Sequence, residues 1–175
     1  MTEFYYETIL TGLSKVPTPN NPGKLIVTGH SQAILTDNDS NNVIMAGCEY
    51  GKGKIIVSSH SCYLEWINEY ANGIKKDFMN RVKQWLTGDE MTSRFSIGNL
   101  AYITEGFVNF KILMWDSDVS LSDDIKSAIL EYINQGGINI NKPFNSYIPI
   151  NFILNLKRCF NCWFNAMGLS PVKPW

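Results

Sequence analysis

The chain has 175 residues, 45% of them hydrophobic and 18% charged, with a formal net charge of -1. That is enough for one domain with a sizeable core, and the balance is that of a globular chain and not of a disordered one. A charge this near zero excludes bulk electrostatic attraction as a basis for binding nucleic acid or an anionic membrane.

No apolar run approaches the roughly 18 residues that a membrane-spanning helix needs. The stretch 148–156 is short and broken by Pro149, Asn151 and Asn155. The opening MTEFYYETILTGLSK has neither the basic n-region nor the apolar h-region of a signal peptide. A reducing compartment is therefore expected, and Cys48, Cys62, Cys159 and Cys162 are read as thiols, not as a disulfide framework. The sequon Asn38-Asp39-Ser40 would matter only in a secreted protein.

In chain order, Phe4, Ile9, Leu10 and Leu13 fall near helical spacing, and Pro17, Pro19 and Pro22 end that helix. KLIVTG and SQAILTD read as short strands, and the polar run 37–42 as a loop. VIMAGCEY and KIIVSSH flank Gly51-Lys52-Gly53, which predicts an antiparallel hairpin over 43–60. The KIIVS strand is apolar almost throughout, as strands buried on both faces are.

From Tyr63 to Leu86 apolar residues recur at three and four, a helix weakened at Gly73 and closed by Gly88. A further helix is predicted over 93–104, then the strand FKILMW at 110–115. Ser122, Asp123 and Asp124 open a helix over 122–135 with Ile125, Ile129, Leu130 and Ile133 on one face. Gly136-Gly137 ends it, and Ile138–Ile140 reads as another strand. Strands and helices alternate after residue 54, so the expected fold is α/β, a mainly parallel sheet flanked by helices. KIIVS and FKILMW should lie in that one sheet. Residues 142–175 carry four basic residues, no acidic one and seven aromatics. They are read as a divergent basic and aromatic tail to a domain over 1–141, not an independent domain, with irregular and weakly packed structure.

Several groups invite a chemical reading. A nucleophilic cysteine needs a base and an exposed turn. Cys48 with His60 is the pair on offer, His30 being the other histidine. Gly47 directly precedes Cys48 and the strand enters a hairpin, so a packed cysteine is favoured. Cys159-Phe160-Asn161-Cys162 has C-x2-C spacing but no second pair of familiar spacing, and plain thiols are favoured over a metal or redox site. Gly51-Lys52-Gly53-Lys54 precedes a strand, whereas a phosphate loop leads into a helix. Asp116-Ser117-Asp118 stands at a strand end, where α/β ligand sites gather. Loop and helix-start roles are favoured for it and for Asp123-Asp124. No catalytic residue, metal ligand or cofactor is assigned.

The segments LIVTGHSQAILTD, VIMAGCEYGKGKIIVSSHSCYL, FMNRVKQWL and ILMWDSDVSLSDDIKSAILEYINQGGINI, within 25–140, resemble in order and spacing the amino-terminal domain of the TRP-channel-associated factors. The resemblance implies a class I glutamine-amidotransferase-like fold without the amidotransferase nucleophile. It implies a non-catalytic module binding a cold-sensing TRP cation channel and regulating its trafficking and gating. The implied location is cytoplasmic, peripheral at the plasma membrane through the channel, with no nucleic acid and no membrane insertion. The family's longer members carry an M60-peptidase-like domain with a zinc motif that this sequence lacks. After Ile140 the family pattern stops, so an incomplete fold is expected. The alternatives are an amidotransferase- or hydrolase-like enzyme using Cys48 and His60, and a truncated fragment without independent function.

Overall fold

The computed structural model describes residues 5–13, 15–19, 22–67, 71–88, 97–99, 112–116, 122–134, 151–155 and 169–171. In chain order they form α1 (Tyr5–Leu10), β1 (Leu25–Val27), β2 (Gln32–Thr36), β3 (Val43–Tyr50), β4 (Gly53–Ser58), α2 (Cys62–Glu65) and α3 (Gly73–Thr87). There follow β5 (Ile97–Asn99), β6 (Ile112–Asp116), α4 (Asp123–Asn134), β7 (Asn151–Asn155) and β8 (Leu169–Pro171).

One sheet takes all these strands, in the order β5-β6-β7-β4-β3-β1-β8, with β2 also paired to β3. It is mixed, where a mainly parallel sheet was expected. β5, β6, β7 and β4 run parallel to one another. β1, β2, β3 and β8 pair antiparallel. The reason lies in the connections. β2 through β4 follow one another through short turns, which can only return the chain antiparallel, and helices long enough for a parallel crossover come only after β4. KIIVS and the 112–116 strand do share the sheet, but β7 stands between them. Two stretches of the expected irregular tail are thus strands, and one is interior. Residues 97–99, predicted helical, are a strand paired with β6. The predicted strand 138–140 lies outside the described residues.

The hairpin forms as its sequence requires. Tyr50 pairs with Gly53, leaving Gly51-Lys52 as a two-residue loop. Gly51 has a φ of 58°, the positive value a type II′ turn needs at its first central position. The tip docks on the end of α4, where the Lys52 backbone N–H donates to the Asn134 carbonyl at 3.1 Å. One of the carbonyls left open at the helix end is satisfied in this way.

The core lies on both sides of the sheet. On one side Ile56, Ile112 and Met114 meet Ile9 of α1 and Phe78, Met79, Val82, Trp85 and Leu86 of α3. Ile55 and Val57 alternate to the other side and are also buried. There α4 packs on β4 through a face that includes Ile129 and Ile133. Burying each such side chain contributes about 1.5–3 kcal/mol. Of the expected α4 face, Ile125 is exposed and Tyr132 takes a buried place instead. The long predicted helix is two helices, and Asn72 is the N-cap of α3. Gly88 closes α3 in the left-handed conformation, its N–H donating to Gln84 O at 2.8 Å. Arg81 donates to the Thr11 carbonyl, tying α3 to the end of α1.

Candidate functional site

The pair proposed from sequence is not assembled. Cys48 faces Ile55 across the hairpin, and His60 lies five residues beyond Ile55. At about 3.3 Å per residue that puts the two backbones roughly 16 Å apart. Cys48 is 3% exposed. Burial pushes its thiol up, only partly offset by a hydrogen bond with the Ser31 side chain, so thiolate is suppressed. His60 is engaged locally, its Nδ1 accepting the Cys62 N–H at 3.1 Å at the start of α2. His30 is exposed in the turn after β1. Cys62, half-buried, has its thiol pushed to about 11, first by burial and then by Glu65.

Native Cys48 should therefore resist iodoacetamide at neutral pH, at a rate at least about a hundredfold below that of the urea-unfolded chain. Peptide mapping by mass spectrometry reads this directly. Stoichiometric labelling of the folded chain would restore the enzyme alternative.

What the sheet does bring together is polar groups at the carboxyl ends of its parallel strands. Ser58 of β4, Asn155 of β7 and Asp116 of β6 occupy one register row. Ligands of open α/β sheets gather outside this edge. Beside Ser58, the Ser59 hydroxyl is buried with no partner among the described residues. Ser58 Oγ donates to the His60 carbonyl at 3.3 Å and not to its imidazole, so no hydroxyl–base pair forms there. Sequence reasoning placed Asp116 at a strand end but could not align it with Ser58, because β7, the strand between them, was read as tail. Ser117, Asp118, Cys159 and Cys162 lie outside the described residues. Asp123 and Asp124 occupy the exposed first turn of α4, and Ser122 Oγ accepts the Ile125 N–H at 3.4 Å. Among the described residues no three His, Cys, Asp or Glu side chains gather as a metal site.

Of the hairpin lysines, Lys54 has a structural role. Lys54 Nζ donates to the Trp85 carbonyl at 2.9 Å and sits 4.8 Å from the centre of its ring. A cation there complements the carboxyl end of α3. A second cation lies against an aromatic ring nearby, Lys75 Nζ over Trp66 at 4.8 Å. Trp66 packs edge-on to Tyr63, 4.9 Å between centroids. The phenol of Tyr63 is buried without a partner among the described residues, and burial raises its pKa. Next to this aromatic group a cleft of about 290 Å³ is lined by Trp66, Ala71, Lys76, Met79, Asn80 and Lys83. No motif announces it in the sequence, where the helical reading of this stretch rests on its apolar residues alone.

No family model matches the sequence. Over 106 residues the chain is 29% identical to TRPM8 channel-associated factor 2 of Bos taurus, a match covering 58% of this chain and 11% of that protein. Over 83 residues it is 32% identical to TRPM8 channel-associated factor 3 of Mus musculus, covering 46% of this chain and 8% of that one. Among solved structures the fold is similar to the metallopeptidase IMPa from Pseudomonas aeruginosa. The TM-score is 0.66 at 11% identity, over 94% of this chain and 21% of that one. For IMPa in complex with an O-glycopeptide it is 0.68 at 10% identity, over 96% and 21%. At such identity the likeness is one of fold alone. These matches name a metallopeptidase where an amidotransferase-like fold was expected. The chain spans about a tenth of the curated relatives and about a fifth of the solved chains.

Proposed function

We propose that this chain is a non-catalytic α/β binding module of the channel-associated factor kind, whose partner is a TRPM8-type channel. The observation that carries the proposal is the partial identity to two channel-associated factors. The folded geometry supports the non-catalytic part, since Cys48 and His60 lie at opposite ends of the hairpin. We place the chain on the cytoplasmic side of the membrane, held at its periphery by the channel. The class I amidotransferase-like fold belongs to the same proposal. It is supported by the parallel half β5-β6-β7-β4 with helices on both sides. The likeness to a metallopeptidase is one of fold, and the non-catalytic reading is supported by the sequence, whose two histidines, His30 and His60, stand in no H-E-x2-H motif.

Co-precipitation from cells expressing the chain with TRPM8 tests the proposal. The channel should be recovered well above the level given by an unrelated membrane channel. Equal recovery of both would remove the channel-binding function.

A further inference from the structure

We draw no further inference here: the strongest candidate, the polar row of Ser58, Asn155 and Asp116 at the carboxyl edge of β4, β7 and β6, with the buried Ser59 hydroxyl beside it, belongs to the site already described, and nothing in the structure selects a ligand for it.

Discussion

Substitution of Ile153 by proline is expected to abolish cooperative folding. β7 pairs with β4 on one side and β6 on the other, Ile153 lying between Ile56 and Met114. Every backbone amide of an interior strand has a ladder partner, and proline removes one donor while its ring constrains the chain. Such a change costs about 3 kcal/mol or more, against a total stability of about 5–15 kcal/mol for a domain. The damage extends beyond one bond, because among the described residues β5 and β6 join the rest of the sheet through β7 alone. Circular dichroism on heating should lose its sharp transition. Ile153→Val keeps every backbone hydrogen bond and the β-branched shape, and should keep the transition cooperative. A proline variant that melts like the parent would contradict the strand order.

The second large effect is expected at Gly51. A side chain there faces two obstacles. The φ of 58° is one that non-glycine residues adopt only at a cost of about 1–2 kcal/mol. An added Cβ would also lie 2.7 Å from the Asn134 Cα and still closer to the Asn134 carbonyl oxygen. The contact is with backbone at the end of a helix, so no rotamer change relieves it. Either the hairpin tip lifts, losing the Lys52 to Asn134 hydrogen bond, or α4 shifts off β4. Gly51→Ala should therefore destabilise by about 2–4 kcal/mol in urea unfolding. Gly73→Ala provides the comparison. Gly73 has a similar φ of 53° with nothing within 4 Å of the added carbon, so it should show only the conformational part. Equal effects at the two glycines would mean the hairpin tip does not dock on α4.

Local chemistry made several elements of this fold legible. The Gly51-Lys52 turn, the β-branched β4 strand, the stop at Gly88 and the Ser122 start of α4 all depend on residues close in sequence, and each was placed from sequence alone. Pairing between distant segments was not legible. NFILN at 151–155 is a short apolar run behind Pro149, and nothing nearby says that it enters the sheet between β4 and β6. Strand propensity is decided by such neighbours. Residues 97–99 were misplaced for the same reason, since their strand is made by pairing with β6. The polar row Ser58, Asn155 and Asp116 exists only once β7 is in place. The cleft was hidden differently. Lysines at helical spacing are ordinary surface residues until a second element, here Trp66 and Ala71, stands across from them.

The sheet edge at Ser58 and the wall on which α3 rests both depend on β7 bridging the two halves of the sheet. Amide hydrogen exchange at 151–155 tests that bridge most directly, since interior strands open only with the global unfolding free energy. Protection equal to that of residues 54–58 is the predicted result, and exchange at the rate of an unstructured peptide would contradict the account.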